Sequence, residues 1–139
     1  MKKWLKRKWW LGSAISITIF LVLFRLLSSQ SASVTLSWTA PGDDGNVGTA
    51  SAYEMRYHTD SLFLVNNFSQ AVAVPNMPVP LVAGTRQSVT VNGLPSDTKI
   101  YFAIKTRDDA FNWSDLSNVP FKITPDVDKP SSIIDLLPE

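Results

Sequence analysis

The chain has 139 residues, 45% hydrophobic, 11% aromatic and 18% charged. That composition suits one ordinary folded domain with appendages and excludes a disordered chain. The net charge of +1 conceals a split: residues 1–32 carry six basic residues and no acid, whereas residues 33–139 carry seven basic against twelve acidic ones. A mildly acidic domain lacks the clustered Lys and Arg that replace phosphate counterions, so no nucleic-acid partner is expected. The absence of cysteine excludes disulfides, zinc–thiolate sites and lipid-modified cysteine.

The first element is hydrophobic. Residues 1–8 form a basic segment, and Trp9 to Phe24 (WWLGSAISITIFLVLF) then run without a charge. As a helix this stretch spans roughly 24 Å, and roughly 28 Å if continued to Leu27, close to the thickness of a bilayer core. Residues 9–27 therefore read as a transmembrane helix or as the core of a signal peptide. The lipid bilayer is the expected partner, with the basic cluster cytoplasmic and the rest outside. Trp4, Trp9 and Trp10 suit the membrane interface, and Arg25 would snorkel at the far side. Their presence and the segment length favour an uncleaved anchor. A secreted form cut within the 28–32 linker, near Ser29-Gln30-Ser31 or Ser31-Ala32-Ser33, is the alternative.

From Ser33 the periodicity changes to two. Val34, Leu36 and Trp38 alternate with Thr35, Ser37 and Thr39 in a first strand. The cluster Pro41-Gly42-Asp43-Asp44-Gly45-Asn46-Val47-Gly48 reads as a turn. Tyr53, Met55 and Tyr57 then alternate with Glu54, Arg56 and His58. Asn67 to Thr85 is loop-like, with a short strand at 70–74. Val89 and Val91 mark a further strand, as do Ile100, Phe102 and Ile104. Asp108 to Ser114 is a turn, and Val119, Phe121 and Ile123 mark a last strand that Pro120 assigns to a sheet edge. Short strands without an intervening helical period give an all-β sandwich or barrel.

Two runs, VTLSWTAPGDDGNVGTASAYEMRY and VTVNGLPSDTKIYFAIKTRDDAFNWSDLSN, resemble the bacterial version of the fibronectin type III domain. The resemblance covers 33–124 and includes Trp38, the Pro-Gly-Asp-Asp-Gly turn, Tyr53 and Tyr57, the Gly-Leu-Pro turn and Asn-Trp-Ser. It implies an immunoglobulin-like β-sandwich, strands A, B and E facing C, C′, F and G, and a role in spacing, adhesion or accessory binding without catalysis. The chain departs from the family pattern in three ways. The tyrosine usual six residues after the turn leucine is Ile100, so Ile100→Tyr is expected to be neutral or stabilising. Phe111 stands where Gly would supply a left-handed backbone cheaply. Strand A has no room in front, yet the 125–139 linker and tail, Asp128 to Pro138 in particular, resembles a strand A placed behind. An exposed strand B edge is thus expected, open to self-association, and the tail is expected to hang free or pair with it.

Candidate sites are few. Asp43-Asp44-Gly45-Asn46 lacks the ligand spacing of a calcium loop and reads as a turn, so no metal or cofactor is expected. His58, the single histidine, lies on the solvent phase beside Asp60. No nucleophile has a base and an orienting partner, and the adjacent Asp108 and Asp109 would point apart, so no enzyme is expected. Phe111, Trp113 and Asp109 in the Asp108–Ser114 turn are the candidate ligand contacts, for a protein or carbohydrate ligand. The alternative for Trp113 is that it folds back on the sandwich. Asn67-Phe68-Ser69 and Asn112-Trp113-Ser114 fit the glycosylation pattern. The expected function is a membrane-tethered, extracytoplasmic binding or spacer module. Its alternative is the front end of a longer secreted protein, such as a hydrolase with accessory modules.

Overall fold

The computed structural model describes residues 31–137. The expected hydrophobic helix and its interface residues Trp4, Trp9, Trp10 and Arg25 lie outside them. Among the described residues no helix is long and apolar enough to cross a membrane.

The fold is two antiparallel β-sheets. The first holds two strands, β1 (Ala32–Thr39) and β4 (Arg86–Leu94). The second holds four, in the order β3 (Val72–Ala73), β2 (Ala52–His58), β5 (Lys99–Arg107), β6 (Phe121–Ile123). Their facing sides meet in one apolar cluster: Ala32, Val34, Val91 and Leu94 from the first sheet, Met55, Ile100 and Phe102 from the second, and Val74 beyond β3. Val34, Met55, Val91, Ile100 and Phe102 lie on the apolar phases of period-two strands and turn inward by alternation, whereas Leu94, three residues after Val91, is brought to the same face by the register shift opposite Ala32–Val34, where Gly93 has φ 77°.

Register fixes the two poles. Ala32 pairs with Leu94, and Lys99 pairs with Ile123. A four-residue turn, 95–98, joins those partners, so the chain enters and leaves the sandwich at the same pole. Thr124 seals it. Its buried hydroxyl donates to the Pro95 carbonyl at 2.6 Å and accepts from Thr98 N at 2.9 Å. At the opposite pole Thr39 pairs with Arg86 and Ala52 with Arg107, which gathers loops 40–51 and 108–114 there.

Three expectations require correction. The first concerns the stretch after β2, which contains a helix, α1 (Ser61–Asn66), followed by a 3-10 turn (Phe68–Gln70). Asp60 caps α1, its Oδ1 accepting from Leu62 N at 2.8 Å and Phe63 N at 3.2 Å. Leu64 is thereby buried on the outer face of the second sheet with Ala71 and Ala103. His58 is consequently not a bare surface residue; it is half-buried and its ring stacks on Phe63 at 4.1 Å. The second concerns Trp38, which has the expected inward phase but is only half-buried, because no described strand covers the outer side of β1. The third concerns Ile100, which is fully buried among Leu94, Phe102 and Met55. A tyrosine there must overpack the core, so the expected benefit of Ile100→Tyr is reversed.

Candidate functional site

The 108–114 loop is built by its own hydrogen bonds. Asp108 accepts from Asn112 N at 2.7 Å and Asn112 Nδ2 at 2.9 Å, and Asp108 N donates to the Asn112 carbonyl. The Asn112 side chain, then its backbone N–H, lowers the pKa of Asp108. This carboxylate is committed to holding the loop. The loop is also tied to its neighbour, since Asp109 N donates to Asp43 Oδ1 at 3.0 Å. Asp43 sits in a turn that needs glycine. A Cβ on Gly42 would collide with the backbone of Val47, and Gly45 has φ 66°.

Phe111 occupies the left-handed region at φ 68°. A residue with a Cβ pays roughly 1–2 kcal/mol for that conformation. The ring is 72% exposed and lies 4.9 Å from the Arg107 guanidinium, which also lies 5.6 Å from the Trp113 ring. Arg107 therefore sits within cation–π range of both aromatics.

The structure separates the sequence candidates. Trp113 bridges to Arg107 and folds along the outer face of the second sheet. There it lines an open trough of about 410 Å³ with Glu54, Lys105, Phe68, Asn67 and Gln70. Phe111 and Asp109 are exposed at the loop tip and do not line it. One wall is the 3-10 turn, which Arg56 pins down. Its Nη1 donates to the Ser69 and Ala71 carbonyls at 2.8 and 2.7 Å, while Nε pairs with Glu54 at 2.6 Å. Arg56 and Lys105 lie 5.7 and 5.5 Å from the Phe68 ring. The trough thus combines an indole, a phenyl ring, side-chain amides and two charges of opposite sign. Among the described residues, no group of three or more His, Cys, Asp or Glu side chains is placed to hold a metal.

Apart from Trp113, no trough residue is a ligand contact expected from sequence; Asn67, Phe68 and Ser69 stand out there only as a glycosylation pattern. Glu54 and Lys105 lie on the outward phase of their strands, but the wall that makes them a site is α1 and the turn after it. The available signal was Asp60 ahead of Ser61-Leu62-Phe63-Leu64, a capping residue before an apolar run.

Comparison with known proteins gives partial similarity. The chain is 40% identical over 58 residues to calcium-activated chloride channel regulator 2 of Mus musculus, covering 41% of this chain and 6% of that protein. It is 31% identical over 91 residues to calcium-activated chloride channel regulator 1 of Sus scrofa, covering 62% of this chain and 10% of that protein. The chain spans about a tenth or less of the length of these relatives. No family model matches, and no solved structure matches.

Proposed function

We propose that residues 33–124 form a fibronectin type III module that binds a ligand without chemistry, and that the 9–27 segment tethers it to the outer side of a membrane. Two strands facing four, in the order observed, fit the arrangement expected for such a module lacking its first strand. The module's chain entry lies at the pole opposite loops 40–51 and 108–114.

The observation that carries the binding reading is the Trp113 trough. An indole face suits the C–H face of a sugar ring, while Asn67, Gln70, Glu54 and Lys105 offer donors and acceptors to hydroxyl groups. The ligand class that best fits is therefore a carbohydrate, with a protein surface as the competing class. Titration of the full chain in detergent against a panel of glycans, read by tryptophan fluorescence, tests this. A saturable response lost in Trp113→Ala and weakened in Gln70→Ala is expected. A response that survives Trp113→Ala, or no response to any glycan, would sink the carbohydrate reading.

A second reading has support in the lengths of the relatives. Both similar proteins are many times longer than this chain, which favours a module that works as one part of a larger assembly of domains. Protease added outside intact cells separates the readings of location. Loss of the module from the membrane fraction supports the tether, and a soluble form starting near Ser33 supports cleavage.

A further inference from the structure

The sandwich is lopsided, and its open side has a defined character. β1 pairs with β4 along one edge, and among the described residues nothing pairs with the other. Edge strands are ordinarily blunted by charge, proline or a bulge. The sequence of β1, ASVTLSWT, has no charged residue and no proline, and its one irregularity lies between Ala32 and Val34. Beside this edge the two sheets part into a groove of about 80 Å³, lined by Leu36 and Trp38 of β1, Met55, Phe102 and Ile104 of the second sheet, and Pro120. Trp38 Nε1 is buried without a hydrogen-bond partner.

The same chain carries an unpaired segment of matching chemistry. Ser131–Leu137 has no regular structure, and Ile133, Ile134, Leu136 and Leu137 are 77–95% exposed. In an extended strand Ile134 and Leu136 share one face, opposite Asp135. We propose that this segment of a second copy adds as a strand to the free edge of β1, laying Ile134 and Leu136 into the groove between Leu36, Trp38, Phe102 and Ile104. This inference rests on the fold and is independent of the carbohydrate reading.

A second copy fits better than the chain's own tail. Residues 125–128 are held on the turn at the exit pole: Asp97 N donates to the Pro125 carbonyl, and Val127 N donates to Ser96 Oγ at 3.0 Å. Free chain begins near Lys129. Antiparallel pairing with its own β1 requires a climb past eight residues of strand, about 26 Å, before the tail can turn back. The segment that carries Ile134 and Leu136 lies within the nine residues 129–137, which reach at most roughly 30–32 Å, so the climb would consume that segment before it could run back along β1. Parallel self-pairing is within reach but is the weaker ladder per residue, and in the single copy the tail lies off the edge. A neighbour's tail meets no such limit of reach and gives β-strand addition between chains.

The absence of cysteine makes the test direct. Single variants Ser33→Cys, Thr35→Cys and Ser37→Cys are each mixed with a differently tagged Asp135→Cys chain. The full-length proteins, in detergent, are treated with a short bis-maleimide. The expected result is a mixed-tag product with at least one β1 position, lost when Leu136→Asp is added to the tail donor, and an oligomer by light scattering that dissociates on dilution. Linkage confined to one chain in a Thr35→Cys, Asp135→Cys double variant would overturn the proposal in favour of self-pairing. A monomer with no mixed product at any concentration would overturn it outright. Circular dichroism of Leu136→Asp, expected to be unchanged, confirms that the fold is retained.

Discussion

The inward residues at the loop end of β1 and the outward residues of β2 and β5 are covered to degrees that alternation alone would not give them. Leu36 and Trp38 point between the sheets yet are only half-buried. Ala103 points away from the core yet is buried, and Arg56 and His58 on the same outer face are half-covered. Phase decides which face a side chain occupies. Depth depends on what lies over that face: α1 covers the second sheet, whereas no described third strand covers the edge of the first.

The largest difference between the two regions is expected in the core. Phe102→Ala is expected to cost about 3–5 kcal/mol, and Trp38→Ala clearly less in the monomer, because Phe102 is fully enclosed and Trp38 is not. Urea denaturation of the two variants at low protein concentration gives the ratio; equal losses would mean that the β1 edge is as well covered as the centre. Next in size is Ile100→Tyr, expected to destabilise by about 1–3 kcal/mol through overpacking. A stabilised variant would show room beside Ile100 that its complete burial denies.

Much of this was legible in the chain and some was not. Val34, Met55, Val91, Ile100 and Phe102 declare their face by alternation, and the turn at Pro41–Gly48 declares itself by composition. The site was only partly legible. Trp113 stands out as an aromatic in a turn, but Glu54, Lys105 and Phe68 become a trough only when α1 and the 3-10 turn fold across the sheet, and Arg56 anchors that turn through backbone carbonyls. Six helical residues are too few to establish a period, so their cap was the sole cue. Phe121 and Ile123 mislead in a similar way: their strand is real, but both are more than half exposed, with Phe121 packed on Tyr101 at 5.8 Å and Lys99 at 4.0 Å over its ring.

Smaller effects sharpen the contrast at the loop pole. Phe111→Gly removes a Cβ from a left-handed position and is expected to raise stability by about 1 kcal/mol. If Phe111 contributes to binding, affinity falls while the melting temperature rises; a destabilised variant would mean that the ring's contact with Arg107 outweighs the backbone strain. The smallest effect is on pH dependence. Asp108 has a lowered pKa because Asn112 donates to its carboxylate. The ordering it gives the loop is therefore complete above the ordinary aspartate range and is lost as pH falls through the lowered folded-state value. Amide protection of 108–114, taken relative to the intrinsic exchange rate at each pH, should fall only in that acid window. Loss of protection near neutrality would assign the loop's order to another group.

In the function proposed above, the outer face of the second sheet would meet a ligand, and in the further proposal the free edge of the first would meet another chain. NMR titration of the full chain with a glycan that gives a fluorescence response measures this most directly. Shifts are expected to cluster at Glu54, Phe68, Gln70, Lys105 and the Trp113 indole, with β1 unmoved. Shifts concentrated at Leu36, Trp38 and the β1 edge, with the trough silent, would contradict it.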